Sequence, residues 1–189
     1  MTEHHSVVEY LSGPEELTRK ELVWGIVREP AAPTCSHQAV VGRTLVVLAT
    51  YAARHALGRV LVSPVDVVLD EQKALVLQPD IVFVAGAREG IVRDRIWGAP
   101  DLVVEVLSPG TRRRDTSTKR RWYQRYGVRE YFIIDPVEDR RGLHARRNFR
   151  SRAAKDRARA RAGALERPDG IRGTGTHVLR VGNVAAEAY

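Results

Sequence analysis

Two acidic residues stand inside strongly apolar segments of this chain. Asp80 lies in LQPDIVF (77–83) and Glu105 lies in LVVEVL (102–107). Because burial of an unpaired carboxylate is costly, each acid should be paired, protonated or bound to a cation. If the two segments lie side by side, a divalent cation could take oxygen ligands from both acids. The ordinary alternative, in which one acid caps a turn and the other pairs with an arginine, stays open.

Lys119 is a third candidate because it shares one helix face with aromatic residues. Counted from Lys119, the residues Trp122, Tyr123 and Tyr126 follow at the spacing of three, four and seven that places side chains on one face. A lysine on that inward face could orient a water and stabilise negative charge that develops on a phosphate. A surface lysine with its stem lying along the helix explains the spacing equally well.

Other motifs of catalysis or cofactor binding are missing from the sequence. Ser108 has no Gly-x-Ser-x-Gly surroundings, which argues against a serine hydrolase. The single cysteine, Cys35, has no Cys-x-x-Cys partner, which excludes zinc-ribbon and thioredoxin-like sites. No phosphate-binding or dinucleotide-binding glycine motif is present. We interpret arginines 112–114 and Asp115 as a solvated loop, although the arginines could contact a phosphate backbone.

The candidate residues need elements to position them, and the apolar periodicity predicts these. Apolar residues recur at spacings of three and four after Ser36, which predicts an amphipathic helix with Ser36 as its N-cap and an end at Gly58. Segments 59–69 and 74–84 predict a strand hairpin. Pro79 interrupts its second strand and predicts a bulge or bend beside Asp80.

The second half of the predicted core repeats the alternation of strand and helix. Residues 101–107 are apolar on both faces, as in a strand that is covered on both sides. A helix that closes at Gly127 and a strand over 128–134 follow. The predicted order is therefore helix, strand, strand, strand, helix, strand. Before this core, residues 21–27 predict two short strands around a glycine turn.

Length and charge divide the chain into a domain and a tail. The 189 residues are 43% apolar and 29% charged, which suits one globular domain. The net charge of +8 lies entirely in residues 140–189, so the remainder offers no broadly basic face for DNA. We predict one folded domain over residues 1–139 and a basic, disordered or loosely helical tail over 140–189.

The tail has two competing explanations. It is either a basic arm that binds nucleic acid or the product of a reading-frame change in a GC-rich gene, and its Arg-, Ala- and Gly-rich composition favours the second. The N-terminal residues MTEHH lack a signal segment, and no apolar run approaches the roughly 20 residues of a membrane span. With only one cysteine, the chain suits a reducing compartment, and we expect a cytoplasmic protein.

Short motifs distributed over residues 9–137 carry a resemblance to a known family. They are ELVWG (21–25), His37, QPDIVFV (78–84), APDLVVEVLSP (99–109), DTSTK (115–119), Tyr123, GV (127–128), EY (130–131) and DP (135–136). Together they resemble the Uma-two family of restriction-endonuclease-like proteins in the PD-(D/E)XK nuclease superfamily, and residues 99–136 are the most specific part. The predicted order of elements is similar to the common core of that superfamily.

The resemblance implies a fold, an activity and a set of site residues. The fold is α/β, a restriction-endonuclease-like core with a mixed sheet flanked by helices, and the activity is hydrolysis of DNA with Mg²⁺ or Mn²⁺. Asp80 and Glu105 take the places of the metal-binding acids, and Glu21 resembles an N-terminal acid of the site. The superfamily lysine usually stands two residues after the second acid, where this chain has Leu107. Lys119 on the next helix would replace it.

Two other classes of function stay open. One is a catalytically inactive domain that keeps the nuclease fold and binds nucleic acid or regulates, because a fold does not guarantee activity. The other is a protein-binding scaffold, for which no sequence feature argues. Binding of Mg²⁺ or Mn²⁺ separates the enzyme from both. We expect His37 to cap or pack rather than to bind metal, and a homodimer stays open.

Overall fold

The chain folds into an α/β arrangement of two sheets with helices against them. The structure, a computed structural model, describes residues 3–13, 18–108, 110, 112–136, 143–150 and 178–181, the last two ranges by their backbone alone. The first elements are α1 (Val7–Leu11), β1 (Glu21–Val23), β2 (Ile26–Arg28), α2 (Cys35–Arg54), β3 (Gly58–Val62), β4 (Val67–Asp70), β5 (Leu75–Leu77) and β6 (Ile81–Ala85). Then come a 3₁₀-helix (Gly86–Ile91), β7 (Ile96–Trp97), β8 (Leu102–Val106), a π-helix (Arg114–Lys119), α3 (Arg120–Arg125), β9 (Glu130–Ile134), β10 (Leu143–Arg150) and β11 (Val178–Val181).

The second sheet contains the four strands of the predicted order of elements. Its strand order is β11-β10-β9-β8-β6-β3, while the first sheet has the order β2-β1-β5-β4-β7. Strand β8 pairs antiparallel with β6 and parallel with β9, so the sheet is mixed. The elements α2, β3, β6, β8, α3 and β9 follow the predicted order of helix, strand, strand, strand, helix and strand. The predicted fold class is confirmed.

Helix α2 packs its apolar face against the second sheet. Val40 and Val41 are buried in a cluster with residues of β6, β8 and β9. The N-cap is Thr34 rather than the predicted Ser36, because the Thr34 hydroxyl accepts the backbone N–H of His37. The helix also ends at Arg54, before Gly58. Gly58 instead begins β3 with a φ of 143°, where a side chain would collide with the Val84 carbonyl of the paired strand.

The single hairpin predicted over 59–69 and 74–84 is wrong, because these residues form two strand pairs in different sheets. Strand β3 pairs with β6 in the second sheet, while β4 pairs with β5 in the first sheet. Between β3 and β6 the chain therefore changes sheet twice, at Pro64 and at Pro79, where a residue without an N–H cannot continue a ladder. The bend predicted at Pro79 is confirmed, and it delivers Asp80 to the start of β6.

One apolar core joins the two sheets to α3. Val23 and Leu77 come from the first sheet, Val82 and Val103 come from the second, and Tyr123 comes from α3. Because these residues share one cluster, β1 and α3 are held beside β8. Burial on both faces explains why every residue of the 102–107 segment except Glu105 is apolar. The two short strands β1 and β2, joined by a turn at Gly25, are confirmed.

Part of the C-terminal tail belongs to the second sheet. Strand β10 pairs antiparallel with β9, and β11 pairs antiparallel with β10. The other residues of 140–189 lie outside the described residues. The predictions made for them, disorder or loose helix and a basic arm or a frame change, therefore stay predictions. The domain boundary at residue 139 stays a prediction. Within the part of the chain that the structure describes, no helix is long and apolar enough to cross a membrane.

Candidate metal centre

The two strand acids meet at one end of the β6–β8 pair. Ile81 is paired with Val104, so Asp80 and Glu105 occupy the next position on each strand. Both residues are only 2% exposed. Asp80 reaches this place because the chain bends at Pro79, and Glu105 reaches it as the fourth residue of β8. The two segments that the sequence singled out are therefore neighbours.

Lys119 and Glu21 complete the same cluster from two other elements. The Lys119 Nζ lies 2.8 Å from Glu105 Oε1 and 2.8 Å from Glu21 Oε1. Lys119 ends the π-helix and is 2% exposed, so its predicted inward position is confirmed and the surface alternative is wrong. Glu21 begins β1 and is fully buried. All four predicted site residues line one cavity of about 280 Å³.

The interpretation of residues 112–115 as a solvated loop is wrong for two of its members. Asp115 is 2% exposed, and its Oδ1 lies 3.7 Å from Lys119 Nζ. Arg114 donates to Glu21 Oε2. These two residues are not in a loop, because the helical segment begins several residues before the aromatic residues of its inward face. The spacing of four between Asp115 and Lys119 was the signal that could have revealed the pair.

Arg19 is the site residue that sequence reasoning missed entirely. Its Nη1 donates to Asp80 Oδ1 at 2.8 Å, and its Nη2 lies 3.6 Å from Glu105 Oε2. The same Nη2 donates to the Gln78 carbonyl. Arg19 precedes β1 in an irregular segment, so no helix or strand periodicity identified it. Only its position two residues before Glu21 connects it with the motifs of the site.

His37 faces the site from the first turn of α2. It is 6% exposed, and its Nε2 lies 3.4 Å from Asp80 Oδ2. Its backbone N–H is capped by Thr34. The helix start therefore places the imidazole beside Asp80, a polar contact that the sequence did not predict. The expectation that His37 caps or packs rather than binds metal stays a prediction.

Burial and neighbouring charges act differently on the two strand acids. Burial raises the pKa of Glu105 to about 7; Lys119 counters this effect, while Asp115 and Asp80 add to it. Burial also acts to raise the pKa of Asp80, but His37, Arg19 and the Val106 N–H at 2.7 Å outweigh it and lower that pKa. Asp80 is therefore ionised at neutral pH. Glu105 titrates near neutrality, a pattern found where carboxylates take different chemical roles.

The donor set suits a hard divalent cation that keeps part of its hydration. Asp80 and Glu105 offer carboxylate oxygens to the same cavity. No group of three or more His, Cys, Asp or Glu residues that could hold a metal ion occurs among the described residues. Mg²⁺ is commonly bound through one or two carboxylates, with water and substrate phosphates as the other ligands. Two acids in a cavity fit that mode of binding and do not form a closed metal cage.

Comparisons with known proteins agree with the fold. The model of the Uma2 (Uma-two) family, described as "Putative restriction endonuclease", matches residues 7–168. A crystal structure of a putative nuclease belonging to DUF820 from Anabaena variabilis superimposes with a TM-score of 0.62 and 18% sequence identity. That alignment covers 77% of this chain and 81% of the other chain. None of the curated proteins matches this sequence. The nuclease-like fold and the resemblance to the family are thereby confirmed.

Proposed function

Because the chain belongs to the Uma2 family of putative restriction endonucleases, we propose that it hydrolyses phosphodiester bonds of DNA with bound Mg²⁺ or Mn²⁺. The observation that carries this proposal is the pair of buried acids, Asp80 and Glu105, side by side in one cavity with Lys119 against them. Buried acids with shifted pKa values in a cavity are typical of catalytic and metal sites. The family membership selects the nuclease among those functions.

Asp80 and Glu105 would hold the cation through their carboxylate oxygens. When bound there, the ion would polarise the phosphate and lower the pKa of an attacking water. The hydrogen bond from the Val106 N–H fixes the Asp80 carboxylate, and that from the Tyr123 hydroxyl at 2.9 Å fixes Glu105. Both carboxylates are thus oriented by the protein before any ligand binds.

Lys119 would supply a fixed positive charge to the reaction. Its ammonium is held by Glu21 and Glu105 and is shielded from bulk water, so its field is strong within the cavity. We propose that this ammonium positions the attacking water or neutralises the negative charge that develops on the phosphate. Glu21 would complete the site by orienting Lys119 and Arg114.

The departure from the superfamily pattern at Leu107 is compatible with this assignment. Leu107 is 5% exposed, and its N–H bonds the Ile134 carbonyl of β9, so it is part of the apolar sheet. Lys119 reaches Glu105 from the next helix. An ammonium group is therefore present beside the second acid although no lysine follows it in the strand.

Nicking of a supercoiled plasmid tests the proposal directly. The purified chain should nick DNA with Mg²⁺ or Mn²⁺ and not in EDTA. Asp80→Asn and Glu105→Gln should each keep the circular dichroism spectrum of the wild type and lose both the cleavage and the binding of Mn²⁺ in calorimetry. Asp94→Asn, which changes an exposed carboxylate, should behave as the wild type. Equal cleavage by the wild type and Asp80→Asn would reject the site.

The same measurements, together with a titration of DNA binding in EDTA, decide the alternative function. If the wild type binds DNA but neither binds Mn²⁺ nor nicks the plasmid, the chain is a nucleic-acid-binding or regulatory domain with a nuclease fold. If it binds Mn²⁺ but cleaves no DNA, the metal site is retained and the substrate assignment is wrong. These outcomes distinguish the metal site from the reaction.

A further inference from the structure

The guanidinium of Arg19 lies where a cation shared by the two strand acids would lie. Its two terminal nitrogens reach Asp80 Oδ1 at 2.8 Å and Glu105 Oε2 at 3.6 Å. We infer that Arg19 is a built-in counter-ion of the metal site, so that a divalent cation must displace its guanidinium and Arg19 sets the metal affinity. This inference rests on the metal site of the proposed function and concerns a residue that the site's motifs do not include.

The hydrogen bonds of the two carboxylates single out the oxygens in question. Asp80 Oδ2 accepts from the Val106 N–H and lies beside His37. Glu105 Oε1 accepts from Lys119 and Tyr123. The remaining oxygen of each acid faces Arg19. Those two oxygens are the ones that a metal ion would need, so Arg19 and a metal ion compete for the same ligands.

The charge count of the cluster favours this exchange. Its acids are Glu21, Asp80, Glu105 and Asp115, and its bases are Arg19, Arg114 and Lys119. By formal charge these four acids and three bases leave one negative charge, with histidine left out of the count. Replacement of a guanidinium by a divalent ion adds one positive charge and balances the cluster. Close balance is what a buried group of charges requires.

Of the two bases that lie against Glu105, Arg19 is more accessible than Lys119. Its side chain is 22% exposed, whereas that of Lys119 is 2% exposed. Lys119 lies within 2.8 Å of two carboxylates, and Arg114 is held by Glu21. The Nε of Arg19 is buried without a hydrogen-bond partner, so its guanidinium is fastened only at its outer end. Displacing Arg19 moves a group that is already partly exposed, whereas displacing Lys119 would remove a buried ammonium from the cluster.

Calorimetric titration of Mn²⁺ into the full chain tests the inference. Arg19→Met removes the competing charge, and the variant should bind Mn²⁺ about tenfold or more tightly than the wild type, the factor expected when a charged competitor is lost. Arg19→Lys keeps the charge but loses the two-pronged guanidinium that spans both acids. Its affinity for Mn²⁺ should lie between that of the wild type and that of Arg19→Met. Arg88→Met removes a similarly exposed arginine from the buried acid Asp101 and should leave the affinity unchanged.

Unfolding in EDTA supplies a second readout that is independent of cleavage. Without metal, Arg19→Met should melt below the wild type because the two acids lose their counter-ion. Saturating Mn²⁺ should raise its melting temperature more than that of the wild type. If Arg19→Met does not fold, a higher affinity of Arg19→Lys than of the wild type still supports the competition, and an equal one refutes it.

The outcomes separate this inference from the proposed function. A wild type that binds Mn²⁺ and an Arg19→Met variant that binds it equally or more weakly would overturn the role of Arg19 and leave the metal site intact. Binding by Arg19→Met alone would support the competition and show that the wild-type site is blocked. Absence of Mn²⁺ binding in both proteins, with no plasmid nicking, would overturn the metal site and the inference together.

Discussion

Strand β8 has a buried acid at each end, and the two ends are built differently. Asp101, just before the strand, lies 3.3 Å from Arg88 and 2.5 Å from Arg129, and it accepts the Ala85 N–H at 2.9 Å. Glu105, near the other end, has Lys119 at 2.8 Å but also has Asp80 and Asp115 close enough to raise its pKa. One acid is surrounded by bases, and the other belongs to a group with more acids than bases.

The difference distinguishes a structural ion pair from a ligand site. Around Asp101, two arginines outnumber one carboxylate and connect β8 to the 3₁₀-helix and to the start of β9, so no excess of negative charge remains. Around Glu105, the excess of acid leaves an attraction for a further positive charge. Both ends bury an acid at a strand end, so burial alone does not identify a site. The balance of neighbouring charges does.

The largest contrast is expected when a cation is removed from each end. Lys119→Met should lower the rate of metal-dependent nicking by roughly 100- to 1000-fold, about 3–4 kcal/mol, because a fixed charge near the reacting phosphate is lost. Its binding of Mn²⁺ should persist. Arg129→Met, at the Asp101 end, should keep the wild-type rate. Single-turnover nicking and calorimetry measure both quantities.

Two results would contradict this assignment of Lys119. A wild-type rate in Lys119→Met would make the lysine a purely structural partner of Glu21 and Glu105. A loss of Mn²⁺ binding together with the rate would make it a support of the metal site rather than a group that acts on the reaction. Lys119→Arg, which keeps the charge, should recover part of the rate if the charge itself matters.

Removing the acid should lower stability at the Asp101 end and not at the Glu105 end. Asp101→Asn leaves Arg88 and Arg129 without their carboxylate and should lower the free energy of unfolding by about 3 kcal/mol, the lower part of the range for a broken buried pair, since both arginines are partly exposed. Glu105→Gln removes one charge from a cluster with excess acid and should keep or raise stability in EDTA. Urea unfolding compares them. An equal loss in both variants would mean that the acids play the same role.

The sequence was informative wherever one residue type contradicted its surroundings. Asp80 and Glu105 were identified because an acid in an apolar strand is costly, and Pro79 because it cannot continue a ladder. Lys119 was identified from its spacing to the aromatic residues. Each of these signals is local, and the fold confirms that all three of these charged residues lie in one cavity.

The residues that were missed depend on contacts distant in sequence. Arg19 lies in an irregular segment, and its role follows from reaching Asp80, 61 residues away. Asp115 lies in a polar stretch, where only its spacing of four to Lys119 indicated burial, and the contact of Arg114 with Glu21 had no sequence signal. The hairpin was misassigned because alternation predicts strands but not which of two sheets receives them. Only tertiary packing decides these points.

The raised pKa of Glu105 gives that end of β8 its own pH dependence. Its pKa is about 7 in the native state against an ordinary value of 4.5, so the native chain binds a proton more tightly than the unfolded chain. Stability in EDTA should therefore fall as pH rises from about 4.5 to 7, by up to about 3 kcal/mol. The lowered pKa of Asp80 acts in the opposite sense and only at lower pH.

Urea unfolding at several pH values isolates this contribution. The difference between the wild type and Glu105→Gln should carry the slope, because the amide does not titrate. Asp101→Asn should keep the slope of the wild type, since Glu105 is intact in that variant. A wild-type slope in Glu105→Gln would assign the titration to another group of the cluster.

The smallest effect concerns how DNA is held, and it again compares the two ends of the sheet. Arg113 is exposed beside the cavity residue Arg114, whereas Arg59 is exposed on β3 near the Asp101 end and pairs with Glu89. If the phosphate backbone approaches the cavity, Arg113→Ala should weaken DNA affinity a few-fold and reduce the slope of log affinity against log salt by about 0.9, the value for one lost phosphate contact. Arg59→Ala should change neither. Titrations in EDTA measure binding without cleavage, and equal slopes for Arg113→Ala and the wild type would mean that DNA lies against another surface.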